Sequence, residues 1–169
     1  MENKLVYIIQ NLCNCNDLNG NNLGKKVVQK ICYLLERYGV DMDLNYKIHF
    51  YGPYSSVLDV SLQLLELNNH IRVDTSGSTH IISYTGSTCN AIDFNDAEII
   101  KNVISQFACK TPKELEILTT TDYVANNLVK VPTDAEVINK VLEIKGAKFT
   151  EQEIKNSIRI LKNEKLIAS

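Results

Sequence analysis

No apolar run in this sequence exceeds a few residues, neither sign of charge dominates it, and it contains no tryptophan. The short runs fall far below the length that spans a bilayer, so no transmembrane segment is expected. The N-terminal stretch MENKLVYIIQNLCNCND has neither a basic region nor a small-residue cleavage site, and a cytoplasmic location is the expectation. A formal net charge of -2 and a sequence pI near 5.9 remove general electrostatic attraction to nucleic acid. Residues 1–92 carry 7 basic and 8 acidic side chains and residues 93–169 carry 11 and 12, so neither half is basic.

Signatures of catalysis are missing as well. His49, His70 and His80 could be combined on paper with Ser55, Cys32 and Asp59. No nucleophile elbow, glycine-rich phosphate loop or histidine-pair metal motif supports such an arrangement. A non-enzymatic protein without a cofactor is therefore expected. Five cysteines, at 13, 15, 32, 89 and 109, read as reduced thiols in a chain without an export signal. Cys13 and Cys15 form half of a zinc-like pattern, but the second ligand pair is absent, so no metal site is assigned.

What remains is an ordinary globular composition, 44% hydrophobic and 22% charged, in a chain long enough to bury a core without staples. Leu5, Ile8, Ile9 and Leu12 recur at helical spacing before NDLNGNNLG breaks the pattern. A second helix is predicted over 25–38, with Val28, Ile31, Cys32, Leu35 and Tyr38 on one face and Gly39 as its stop. DMDLNYKIHF then alternates, with Met42, Leu44, Tyr46, Ile48 and Phe50 on one side of a half-buried strand.

The stretch HFYGPYSS, residues 49–56, is the most specific corner in the chain. Pro53 restricts both its own backbone and that of Gly52, ending the strand, and Ser55 or Ser56 can cap the following helix. That helix carries Val57, Leu58, Ser61, Leu62 and Leu65 as an apolar stripe and ends at Asn68 and Asn69. IRVD and HIISYT flank TSGST as a hairpin. Helix, helix, extended segment, helix and hairpin is the order of a winged helix-turn-helix.

Beyond residue 92 four helices are expected. Asp96 is read as the cap of the first, and Thr111 with Glu114, Thr133 with Glu136 and Thr150 with Glu153 as capping boxes of the rest. Pro112 suits a first helical position, and KGAKF joins the last two helices. LLELNNHI and ILKNEKLI end helices alike in the two halves, an echo of one helix-turn-helix unit. The resulting expectation is an α+β, mostly helical fold. A winged helix-turn-helix-like unit with a β-hairpin wing, residues 1–92, packs on a four-helix unit, residues 93–169, as one compact domain.

KKVVQKICYLLERYG, the corner with its following helix, and FTEQEIKNSIRILKNEKLI together resemble the bacterial YwgA proteins and the related SocA-like, or Panacea, antitoxin domains. The matching residues are Val28, Gln29, Lys30 and Tyr33, then Tyr51, Gly52, Pro53, Tyr54 and Ser55, and the likeness runs over roughly 23–167. Val28 stands where that group carries leucine, and the tryptophans common in Panacea relatives are absent, which favours the YwgA branch. The resemblance implies a helix-rich, winged-helix-like protein without catalysis. Its Panacea relatives neutralise toxins or adapt them to a protease by direct protein contact.

Two binding surfaces follow. For a protein partner, of toxin or protease type, the candidates are Tyr51, Gly52, Pro53, Tyr54 and Ser55 with Gln29, Lys30 and Tyr33. Exposed tyrosines supply rigid contact area, although both rings could instead clamp the helix entrance. For DNA, the candidates are Lys155, Arg159 and Lys162, a stripe on the last helix diluted by Glu151, Glu153 and Glu164, and the pair Lys25 and Lys26. DNA is the weaker reading, because the helix after the corner carries Asp59 and Glu66 and no lysine or arginine. Self-association as a homodimer is left open, and abundant Asn, Ile and Lys suggest a low-GC bacterium or its phage.

Overall fold

A computed structural model describes residues 1–15, 23–77, 79–87, 91–130 and 132–168. The described residues form seven α-helices and two two-stranded antiparallel sheets. They divide into two compact units that interleave along the chain. Met1–Tyr46 with Ser55–Pro112 make the first unit, and Lys47–Tyr54 with Lys113–Ser169 make the second. Helix α4 (Phe94–Phe107), though it follows residue 92, thus belongs to the first.

In the first unit, α1 (Glu2–Cys13) buries Leu5, Ile8, Ile9 and Leu12, as its periodicity predicts, and Val6 besides. The break after it falls largely on residues 16–22, outside the described residues. Helix α2 (Lys25–Arg37) was expected to bury one face, but every residue from Val27 to Leu35 is buried, Gln29 and Lys30 among them. It packs against α4. Its N-terminus is tied to the hairpin β3 (Ile71–Asp74) and β4 (Ile81–Tyr84): Leu23 and Lys25 exchange backbone hydrogen bonds with Ile82 and His80, at 2.7 and 3.2 Å. The register pairs Ile71 with Tyr84 and Asp74 with Ile81. Ser78 in the hairpin tip lies outside the described residues.

The alternation is realised over 41–48 as alternating burial, not as one strand, and it fails at Phe50, which is exposed. Met42 and Leu44 are buried between exposed neighbours. Asp43 and Asn45, however, take φ of 52° and 53°, a left-handed backbone that short polar side chains tolerate and that a strand excludes. Helix α3 (Ser56–Leu67) is capped by Ser55 and closed by Asn68, with Asn69 at φ 58°. Only Leu58, Ser61, Leu62 and Leu65 turn inward, so Val57 is not part of its buried stripe. Asp93 rather than Asp96 caps α4, accepting N–H bonds from Asn95 and Asp96. Asp96 is used elsewhere, pairing with Lys4 at 2.8 Å.

The second unit joins the short hairpin β1 (Lys47–His49) and β2 (Gly52–Tyr54) to α5 (Pro112–Asn127), α6 (Asp134–Lys145) and α7 (Glu151–Asn163). A single 3-10 turn, Gly146–Lys148, links α6 to α7. Pro112 occupies the first helical position of α5, and Thr150 with Glu153 form a full capping box at α7. Thr133 caps α6 through the Glu136 N–H. An apolar cluster of Ile117, Val124, Val137, Val141, Phe149, Ile154 and Ile158 forms the centre. In α5 all eight residues from Leu115 to Asp122 are buried, three threonines included. Thr119 and Thr121 make this tolerable by donating their hydroxyls to the carbonyls of Leu115 and Ile117, each at 2.8 Å.

Candidate functional site

The corner read as a strand end is itself a hairpin. Ile48 pairs with Pro53 and His49 with Gly52, leaving Phe50 and Tyr51 as a two-residue tip. Neither tip residue has positive φ, so the turn is not the mirror-image type; Gly52, at φ 86°, supplies the left-handed residue that follows it. Pro53 lacks an N–H, which an edge strand accepts. The outcome is a tip that presents aromatic rings: Phe50 is 71% exposed, Tyr51 42% and Tyr54 36%. The Phe50 and Tyr51 rings meet edge to face at 4.9 Å, and the His49 and Tyr54 rings lie 5.5 Å apart.

Beneath the tip lies a charge cluster. Lys145, at the end of α6, donates to the Phe50 carbonyl at 2.6 Å and to Glu116 Oε1 of α5 at 2.9 Å. Lys148 donates to both Glu116 oxygens at 2.7 and 2.8 Å. Its ammonium lies 4.9 Å from the Tyr51 ring centroid and 5.7 Å from that of Phe50. Lys145 and Glu116 are buried, and Lys148 is half-buried. Burial alone would push the Glu116 carboxyl up, but the hydrogen bonds from Lys148 and Lys145 outweigh it and hold it below its ordinary value. Burial pushes Lys145 down, and its bond to Glu116 offsets only part of this. The backbone of the tip is therefore fixed by a buried ion, and its rings by cation–π contact.

The other corner candidates take structural places in the first unit. The Gln29 side-chain amide clasps the Ser55 peptide, donating to its carbonyl at 2.9 Å and accepting its N–H at 3.0 Å. The Ser55 hydroxyl donates to the Leu44 carbonyl and accepts the Leu58 N–H at 2.9 Å. Tyr46 donates its hydroxyl to the Gln29 carbonyl at 3.0 Å, and its ring meets that of Tyr33 edge to face at 5.1 Å. Gln29, Lys30, Tyr33 and Ser55 are all buried, as are Gly52 and Pro53 in the second unit. Gln29 and Ser55 hold the start of α3 in the first unit, and Gly52 and Pro53 shape the hairpin in the second. Tyr51 and Tyr54 are the candidates that reach solvent, and Phe50 joins them.

The cationic candidates are mostly engaged. Lys25 pairs with Asp59 at 3.3 Å, Lys155 with Glu151 at 2.6 Å and Lys162 with Asp134 at 2.9 Å. Lys155, Ile158, Arg159, Lys162 and Asn163 line a shallow groove of about 270 Å³ together with Asp134. Lys26 is exposed on the first turn of α2. Among the described residues no group of three His, Cys, Asp or Glu side chains converges as a metal centre would require. Cys32 is buried and its thiol is pushed far up by burial and by Glu36. Cys89 lies outside the described residues.

No protein-family model matches the chain. It is similar to the uncharacterized protein YwgA of Bacillus subtilis (strain 168), at 27% identity over 159 residues that cover 88% of this chain and 90% of that protein. The similarity thus runs through both units and supports a YwgA-like protein. Among the described residues no helix is long and apolar enough to cross a membrane.

Sequence reasoning singled out Tyr51 and Tyr54 but passed over Phe50, Glu116, Lys145 and Lys148. Phe50 was assigned to a buried strand face. Lys145 carries the one available signal, since it falls in helical phase with Ile138 and Val141, where an apolar residue is expected. Nothing local ties Glu116 to lysines 29 and 32 positions away.

Proposed function

We propose that the chain is a non-enzymatic protein-interaction module of a bacterium or phage, and that it meets its partner with the aromatic tip of the β1–β2 hairpin. One observation carries this reading: Phe50, Tyr51 and Tyr54 are exposed on a hairpin that Lys145 and Lys148 pin to the buried Glu116. Tyrosine and phenylalanine bury large areas at small entropic cost, and a tip fixed in advance leaves little ordering to be done on binding. An antitoxin-like role, in which a toxin or a protease is the partner, rests on the SocA-like resemblance of the corner. The order α1, α2, α3, β3, β4 is compatible with a winged helix, and the charge and the thiols with a cytoplasmic setting.

DNA binding is the second reading, favoured by the groove that contains Lys155, Arg159 and Lys162. The exposed face of α3, where a winged helix reads bases, offers Val57, Val60, Leu64 and Leu67 in place of cations. Affinity capture from the native host, scoring protein and DNA in one eluate, separates the two. A stoichiometric protein that is retained in high salt and lost with Phe50→Ala or Tyr51→Ala is expected. Specific DNA, lost with Lys155→Ala, Arg159→Ala and Lys162→Ala but not with the tip variants, would replace this reading with the regulator.

A further inference from the structure

Helix α3 leaves four apolar side chains in solvent: Val57 at 36%, Val60 at 54%, Leu64 at 52% and Leu67 at 76% exposure. Their spacings are three, four and three residues, the a/d pattern of a helix-pairing seam on the face opposite Leu58, Leu62 and Leu65. Nearby polar groups are turned aside. Asp59 is held by Lys25 at 3.3 Å and faces Gln63, and Glu66 accepts the Val73 N–H at 3.0 Å. The positions beside the seam are Ser56, Ser61, Gln63 and Asn68, all uncharged.

We infer that α3 is a self-association surface whose occupant is α3 of a second copy, packed antiparallel across a two-fold axis. The spacing three, four, three reads the same in both directions, so the seam is complementary to itself under the operation that builds an isologous dimer. In that arrangement Val57 meets Leu67 of the other copy and Val60 meets Leu64, so each layer pairs a smaller side chain with a larger one. The uncharged flank raises no like-charge barrier to a second copy and gives a charged partner nothing to pair with. A twelve-residue helix is about 18 Å long. Four partly exposed side chains on a helix of that length cover less than the roughly 1,200 Å² of a standard interface, so the dimer is weak and concentration-dependent. This surface is independent of the hairpin tip.

Sedimentation of the full chain from about 1 to about 500 µM tests it, a range suited to small interfaces. The wild-type mass should rise from 19.1 kDa toward twice that value with concentration. Val60→Glu and Leu64→Lys should each be monomeric throughout, with unchanged circular dichroism because both sites are exposed. Mixed in equal amounts, the two variants should dimerise, since the new charges oppose each other across the seam. A wild type that stays monomeric, a dimer that survives both substitutions, or a mixture that fails to associate would overturn the inference. Whether the tip variants capture a partner has no bearing on these outcomes.

Discussion

Glu116 and Gln29 each tie distant parts of one unit together through buried polar contacts. Glu116→Gln preserves shape but leaves Lys145 buried beside Lys148 without a counter-charge; a loss of about 3 kcal/mol in stability at pH 7 is expected, from the cost of breaking a buried pair. The pH dependence has a definite sign. Because the folded Glu116 carboxyl lies below its unfolded value, its contribution is fully present above the ordinary carboxylate range, about pH 4.3, and is lost as pH falls through the folded value. The gap in melting temperature between wild type and Glu116→Gln should therefore narrow below about pH 4. A gap that widens on acidification would refute the assignment. Gln29→Leu leaves the buried Ser55 N–H without its acceptor, while the Ser55 carbonyl keeps the Asp59 N–H at 3.2 Å, and should cost about 1–3 kcal/mol, read from urea midpoints. The sequence showed Gln29 and Ser55 as parts of one resemblance, but not that one clasps the other: a contact across 26 residues has no local signature.

At the scale of elements, helices were legible where burial follows one stripe and obscure where it does not. α1 and α7 have clean stripes and capping or breaking residues, and they form where periodicity puts them. α5 hides Thr119 and Thr121 by bonding them to its own carbonyls, a device that periodicity cannot register, and buries the Thr120 hydroxyl without such a bond. The segment 41–50 alternated as a strand would, yet Asp43 and Asn45 turn left-handed and the strand shrinks to Lys47–His49. The hairpin then depends on Gly52. Gly52→Ala places a side chain at φ 86° and should cost about 1–2 kcal/mol while weakening partner capture, because the tip loses its fixed geometry. Phe50→Ala, by contrast, removes an exposed ring and should leave the thermal midpoint nearly unchanged while abolishing capture. A large fall in stability with Phe50→Ala would mark the ring as a fold element and not a contact.

For the whole molecule, sequence patterning was enough to set the class, α+β and mostly helical, and showed one of the two hairpins found among the described residues. It could not show the interleaving, in which residues 47–54 join a unit whose remaining chain begins at Lys113. Such exchanges depend on long-range contacts such as Lys145 with the Phe50 carbonyl, 95 residues apart. The charge balance bears on the same scale, because a near-neutral chain whose Lys155 and Lys162 are already paired gains little from phosphate. The most direct test of the central claim is the affinity of the captured partner for the wild-type chain, measured from about 50 to about 500 mM salt, with Phe50→Ala alongside. The account predicts an affinity nearly flat in salt and at least about tenfold weaker for Phe50→Ala, as expected for an interface carried by aromatic anchors. An affinity that falls log-linearly with salt and ignores Phe50→Ala would contradict it.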